Sequence, residues 1–344
     1  MKSGKFQYAV IGCGSISSAH LSSVCANSDI MDLYACCDLI EERARAAADK
    51  YGTPETRVVT DYKALLNDPA LDLVSICTPS GAHAAIAIDC AKAGKSCLSE
   101  KPLDVTTAKL DAVEAAFKGI KAKCACVFQY RTYPGVREAK RLLDEGALGR
   151  ILLSNGYSKV YRSPQYFLDA GWRGTWELDG GGATMNQGIH IVDITTYFGG
   201  GCASVLGKFD TLARDIQTED VSYAIYRLKS GAMGSYTATT LYNPNLGVKV
   251  ETVCEDGMIT FDGSVTKLIR PDKEEIVLGQ TIGGESFGSN KIAQSPGHAW
   301  LVRDLANAVA EDRDPFVPVS KGRHAVDIIL ATYQSSRENR EIIL

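Results

Sequence analysis

The chain has 344 residues, 45% of them hydrophobic, and a net charge of −4 from acidic and basic residues mixed along its length. That is enough material for two domains with their own cores, while the absence of a basic tract, acidic tail or low-complexity run makes nucleic acid and lipid poor partners. No apolar run of about twenty residues could span a membrane, and Met1-Lys-Ser-Gly-Lys-Phe6 leads straight into a strand, with no signal peptide expected.

The eleven cysteines include no Cys-x-x-Cys pair. Cys36, Cys37, Cys77, Cys97, Cys124 and Cys126 fall in predicted strands, where cysteine is a small apolar residue. The expected setting is a reducing cytoplasm, with neither disulfides nor a metal site.

Residues 6–11 read as a buried parallel strand, an apolar run ending in glycine. Gly12-Cys-Gly14-Ser15-Ile16-Ser17 follows. Gly12 suits a tight turn, and Gly14 lets the backbone approach a pyrophosphate. A helix from about Ser15 to Ala26 points its N-terminus at that charge. Ser17, in place of a third glycine, is still small enough for close helix–strand packing. A second strand, Asp32 to Asp38, ends in an acid about twenty-four residues beyond Gly14, where a carboxylate can accept from ribose hydroxyls. Asp38 would also repel a 2′-phosphate, so NAD is expected rather than NADP.

The alternation continues with helices over 41–50, 61–66, 82–93 and 106–118, and strands over 71–77, 95–99 and 123–129. This is an α/β pattern, a parallel sheet wound on both faces, with ligand outside the carboxyl ends of the strands. Asp38, Thr78, Pro79, Glu100, Lys101 and Gln129 all stand at such ends. Lys101, between a strand end and Pro102, is not needed for folding. Burial and a nearby cationic nicotinamide would both disfavour its ammonium form and bring it toward acid–base use. Glu100 is placed to steady it.

In the second half, Gln129-Tyr130-Arg131 should face the cofactor cleft. A helix over 134–144 and a long strand over 150–161 lead to the aromatic, glycine-rich stretch Gly171-Trp172-Arg173-Gly174-Thr175-Trp176. Aromatic faces suit a sugar ring or a nicotinamide, and Arg173 suits a carboxylate or phosphate of either ligand. Tyr130, Trp172 and Arg173 are expected to shape the pocket. A helix from about Ala183 to Tyr197 then puts Asn186 and His190 on one face, with Asp193 placed to orient the imidazole. From Ser204 to Phe261 the period becomes two, with hairpins at 221–240 and 248–261 in an antiparallel sheet. A long Gly/Ser/Asn-rich loop over 283–297 is expected to be a lid, a subunit arm or mobile, before helices over 298–310 and 323–336.

Gly12-Cys-Gly-Ser-Ile-Ser17, Cys77-Thr-Pro-Ser-Gly-Ala-His83, Glu100-Lys101-Pro102, Gly180 to Asp193, and the pattern from Gly297-His298 to Ser335 together resemble the Gfo/Idh/MocA family of nucleotide-dependent sugar and cyclitol oxidoreductases. The resemblance implies an NAD-binding Rossmann domain, here 1–123. It also implies an α+β domain, here 124–344, with a large open, mostly antiparallel sheet for substrate binding and for dimers or tetramers. It adds His83 to the cofactor side, places Lys101 near the reacting hydroxyl and makes His190 its acid–base partner. The family often has aspartate where this chain has Asn186, which can bind a hydroxyl but cannot take a proton. The Asn186-Gln-Gly-Ile-His190 form with Gly171 to Trp176 is similar to a branch of sugar dehydrogenases that includes oxidisers of C3 of nucleotide-linked sugars. The expected substrate is therefore a sugar or nucleotide-sugar bound by Lys101, Tyr130, Arg173, Asn186 and His190. An inositol dehydrogenase, a hydrolase that uses NAD transiently, and a non-catalytic NAD-binding regulator are the alternatives.

Overall fold

The computed structural model describes residues 4–281 and 295–344. Along the chain run β1 Phe6–Ile11, α1 Ser17–Ala26, β2 Met31–Cys37, α2 Glu41–Tyr51, β3 Arg57–Val59, α3 Tyr62–Leu66, β4 Leu73–Ile76, α4 His83–Lys92, β5 Ser96–Ser99, α5 Thr107–Phe117 and β6 Cys124–Cys126. There follow α6 Pro134–Asp144, β7 Ile151–Lys159, α7 Pro164–Leu168, α8 Ile189–Phe198, β8 Cys202–Asp210, β9 Val221–Leu228, β10 Met233–Thr239, β11 Gly247–Cys254, β12 Gly257–Phe261, β13 Val265–Ile269 and β14 Ile276–Gln280. The chain closes with α9 Pro296–Ala310, α10 Val319–Gly322, α11 His324–Glu338 and β15 Ile342–Ile343.

The first sheet has the order β3-β2-β1-β4-β5-β6 and every pairing is parallel. Its central strands are covered on both faces, which is why β4 and β5 are buried at every residue. Strand order reverses between β1 and β4, so the turn after β1 opens at the switch point where such sheets bind ligands. Asp61 caps α3 and Thr106 caps α5, each accepting from a backbone N–H in the first turn.

The second sheet runs β14-β13-β12-β11-β7-β10-β9-β8-β15 and is antiparallel except for β7 beside β10. Alternating burial along β9 marks one covered and one open face. The covered face takes α8, whose Ile191, Ile194 and Phe198 pack with Val248, Val250, Ile259 and Phe261. α8 is buried on nearly all sides, its polar His190, Asp193, Thr195 and Thr196 included.

The chain divides into two compact units, Met1–Gln129 with Ser289–Gly322 and Tyr130–Gly288 with Arg323–Leu344. This differs from a single cut after residue 123. The C-terminal stretch returns to the first unit because α9 packs on α1 and β5, and α10 on β6. Two helices read from periodicity alone carry no mark of which sheet they will cover. The strand expected over 123–129 stops at Cys126, and a 3₁₀ turn holds Gln129–Thr132. The short strands β3, β13, β14 and β15 had no clear period in the sequence. Residues 283–294 of the expected lid or arm lie outside the described residues. No disulfide joins any of the eleven cysteines. Among the described residues no helix is long and apolar enough to cross a membrane.

Candidate functional site

In the first unit, the turn after β1 is shaped by close packing. Gly12 has φ of +91°, and a Cβ there would lie 2.6 Å from the Cys77 carbonyl oxygen, so only glycine fits between the ends of β1 and β4. A Cβ on Gly14 would meet nothing within 4 Å, which leaves open space over the start of α1. Gly14 and Ser15 are exposed, whereas Ile16 tucks against the Val10–Leu21 core. Ile16 is the N-cap and offers no side-chain acceptor, so the leading N–H groups of the helix suit an external anion.

Asp38 spans the same turn. Its Oδ2 accepts from the Cys13 N–H at 2.8 Å and its Oδ1 from Ile40 N–H at 2.9 Å. The acid and the glycine turn, twenty-odd residues apart, thus form one construction. At the end of β4, the hydroxyl oxygen of Thr78 is buried without a protein partner. Pro79 is half-buried beside it. An open cradle, a helix start, a braced carboxylate and an unmet buried hydroxyl together fit a dinucleotide.

Two residues expected on the cofactor side face inward instead. His83 is buried, with Nδ1 2.7 Å from the Pro102 carbonyl and Nε2 2.8 Å from the Thr78 carbonyl, so it ties the ends of β4 and β5 together. Glu100 is also buried. Its Oε1 sits 2.9 Å from His20 Nε2 and 3.1 Å from His298 Nε2, and its Oε2 accepts from the Lys101 backbone N–H at 3.2 Å. The outer nitrogens of both histidines meet serines, Ser75 at 2.7 Å and Ser295 at 2.7 Å. Ser75 in turn meets the Tyr8 hydroxyl at 2.9 Å.

One arrangement of protons satisfies this chain. Each neutral imidazole donates through Nε2 to the carboxylate and accepts at Nδ1 from a serine. Burial alone would raise the Glu100 carboxyl, but hydrogen bonds from His20 and His298 outweigh it and hold it well below the usual carboxylate range. Burial pushes His20 down despite Glu100 beside it, which keeps the ring neutral. His20, Glu100 and His298 are also the described residues able to hold a metal ion, with donor atoms within 4.8 Å of one another. Sequence reading missed His20 and Ser75. A histidine at the buried face of α1 and a serine inside the apolar run Leu73–Ile76 were the available signals.

In the second unit, the segment carrying Asn186 is a π-helix over Ala183–Gly188, continued by α8. A continuous α-helix was expected, but the wider turn carries Asn186 and the α-helix carries His190; such turns are frequent at functional sites. Asn186 Nδ2 donates to Asp179 Oδ1 at 2.6 Å, and its Oδ1 accepts from Gln187 Nε2 at 2.9 Å. The buried Glu219 accepts from the N–H of Gly182 and of Thr184, both at 2.8 Å, and from the Tyr333 hydroxyl at 2.8 Å. It thereby anchors the start of the π-helix.

His190 is buried on the first turn of α8. Its ring centroid lies 5.1 Å from that of Tyr130. Tyr130 packs on Tyr133 and Phe261 in the core of this unit, and so backs His190 rather than standing at an open surface. Gln129 is likewise buried. Asp193 does not orient His190: Arg131 takes both its oxygens, with Nε to Oδ2 at 2.9 Å. Trp172 and Arg173 do come together. The Arg173 guanidinium lies 5.8 Å from the Trp172 ring and 4.0 Å from that of Tyr166. Trp176 packs instead against Phe209 and Tyr333.

The strand order, the glycine turn and the braced acid define the first unit as a dinucleotide-binding Rossmann domain. Residues 6–128 match the oxidoreductase family model with NAD-binding Rossmann fold, and residues 136–260 match the GFO/IDH/MocA C-terminal domain. The chain belongs to the Gfo/Idh/MocA oxidoreductase family. It is 28% identical to levoglucosan dehydrogenase of Pseudarthrobacter phenanthrenivorans over 64% of this chain and 62% of that protein. It is 34% identical to inositol 2-dehydrogenase of Salmonella typhimurium over 43% of this chain and 44% of that protein. The matches thus span less than two thirds of those relatives. Among solved structures it resembles the WlbA dehydrogenase from Bordetella pertussis in complex with NADH and UDP-GlcNAcA, with a TM-score of 0.86 and 26% identity, covering 99% of this chain and 98% of that one.

Proposed function

We propose that this protein is an NAD-dependent oxidoreductase acting on a secondary hydroxyl of a sugar or nucleotide-sugar, with C3 of a pyranose ring favoured. The carrying observation is the first unit's construction: Lys101 follows Glu100 just past the end of β5, in the sheet whose switch point carries the Gly12–Gly14 cradle and Asp38. Bound NAD supplies the hydride acceptor. Lys101 holds the reacting hydroxyl and takes its proton, with its backbone fixed by Glu100. In the second unit His190 serves as an acid–base group, and Asn186 binds a substrate hydroxyl with an amide orientated by Asp179 and Gln187. Asp38 favours NAD over NADP by facing the ribose with a carboxylate. Likeness to WlbA in complex with UDP-GlcNAcA supports the nucleotide-sugar reading; likeness to inositol 2-dehydrogenase supports a cyclitol as the second.

The open face of the second sheet carries Leu206 paired with Ile225 across β8 and β9, with Tyr223 and Met233 nearby, each more than two-fifths exposed. That apolar face supports a homodimer or homotetramer.

The test is titration with NADH and NADPH, followed by turnover with neutral hexoses, uronates, UDP-sugars and myo-inositol. NADH binding with net NADH production from a sugar is the expected result. Failure to bind either dinucleotide would overturn the reading. Hydrolysis without net NADH would leave only the transient-NAD chemistry.

A further inference from the structure

Three arginines gather in the second unit beside Gln187. Arg162 follows β7, Arg173 lies in the segment after α7, and Arg214 lies in the loop between β8 and β9. The guanidinium carbons of Arg173 and Arg162 lie 4.0 and 5.0 Å from the centroid of one ring, that of Tyr166. Arg214 Nε donates to the Arg162 carbonyl at 2.9 Å, and its guanidinium lies 5.4 Å from the Tyr161 ring.

What these guanidiniums touch is neutral. Arg173 donates to the Tyr166 carbonyl at 2.9 Å. Arg162 donates to the Tyr161 carbonyl at 3.1 Å and to Gln187 Oε1 at 2.6 Å, and its Nε is buried without a partner. Among the described residues none of the three pairs with a carboxylate, whereas Arg57, Arg131, Arg303 and Arg313 each hold one. Half-buried and stacked on rings, the three are neither solvated tips nor structural ion pairs. Confined positive charge of this kind calls for an anion, and planar guanidiniums match the two-oxygen edge of a carboxylate or phosphate.

The patch is also wired to Asn186. Gln187, which accepts from Arg162, donates through Nε2 to Asn186 Oδ1 at 2.9 Å and to the Tyr166 hydroxyl at 3.0 Å. We propose that Arg162, Arg173 and Arg214 form a subsite for an anionic group on the substrate, so that the sugar this protein oxidises is an acidic one. The inference rests on the sugar-oxidoreductase reading above and narrows its substrate class. The shared chemistry is a carboxylate or phosphate oxygen edge, carried by a uronate ring or by the diphosphate of a nucleotide-sugar.

The test is calorimetric binding to the NADH-loaded protein, comparing glucuronate with glucose, UDP with uridine, and UDP-glucuronate with UDP-glucose, at low and high salt. The acidic member of at least one of the first two pairs is expected to bind about tenfold or more tightly, and less so at high salt. Glucuronate alone would identify the ring acid, and UDP alone the diphosphate. Arg214→Gln and Arg162→Gln should each weaken acidic ligands about tenfold, with Arg214→Lys recovering part of the loss. Melting temperature and circular dichroism report folding. Neutral ligands binding as tightly as acidic ones, or folded variants binding acids as the parent does, would overturn the proposal. Repeating the acid titrations without NADH separates the two readings: acid binding by a protein that binds no NADH would retain the subsite and sink the oxidoreductase.

Discussion

Each unit contains a buried glutamate that accepts from backbone N–H groups, Glu100 at Lys101 and Glu219 at the start of the π-helix that carries Asn186, and the two are built differently. Glu100 holds the Lys101 N–H and is met by two imidazole N–H groups; Glu219 holds the N–H groups of Gly182 and Thr184 and is met by the Tyr333 hydroxyl. Burial pushes Glu219 up, and its hydrogen bonds do not overcome that; the Glu100 carboxyl ends up well below its ordinary range. The difference lies in the donors. His20 and His298 together outweigh the burial of Glu100, whereas the two backbone N–H groups and the Tyr333 hydroxyl also favour the Glu219 anion but not by enough to offset its burial. A carboxylate beside the proposed base is thus kept charged, while the one at the start of the π-helix is not held so firmly.

The comparison can be broken first on stability. Glu100→Ala strips a charged acceptor from two buried imidazoles and should cost about 3–5 kcal/mol in urea unfolding. Glu219→Gln keeps one acceptor oxygen for the π-helix and should cost about 1–3 kcal/mol. Equal losses would remove the distinction.

Acid titration gives a second, smaller contrast. His20 is held below 6.5 by burial, and His324 is pushed down to about 4, chiefly by burial and then by Arg131 and Lys229. As pH falls below 6.5 the unfolded chain gains these protons before the folded chain does, so stability drops, by about 1–3 kcal/mol for His324 by pH 4. The Glu100 contribution is whole above its unfolded value of 4.5 and is lost as pH falls through the lower folded value. Glu219 acts oppositely, because its folded form takes a proton first, and stability rises as pH falls through its folded value toward 4.5. His324→Gln should flatten the melting-temperature decline between pH 6.5 and 4, and Glu219→Gln should steepen the acid limb; a reversed order contradicts these assignments. The smallest effect is Tyr333→Phe, which removes one donor to Glu219 and should cost about 1 kcal/mol in the same unfolding assay.

Most strands and helices of both units were legible because their signals are local. Apolar runs ending in glycine and period-two segments such as Val221–Leu228 each state their own conformation. Partners were less legible, since they join residues far apart in the chain. Nothing around Glu100 announces that His298, nearly two hundred positions later, will reach its carboxylate. Asp193, three residues beyond His190, looked like its orienter, yet Arg131 arrives from a distant turn and takes it. Tyr130 beside a strand end suggested a pocket wall, and packing against Phe261 drew it inward. The arginine patch escaped notice for the same reason: Arg162, Arg173 and Arg214 share a neighbourhood only after β7, α7 and β8 are in place.

The most direct test of the central claim is Lys101→Met, read by NADH fluorescence titration and by turnover of the best substrate found in the sugar panel. Lys101 as the group that takes the hydroxyl proton predicts retained NADH binding with turnover reduced about a hundredfold to ten-thousandfold. A variant that binds NADH and turns over at nearly the parent rate would contradict it.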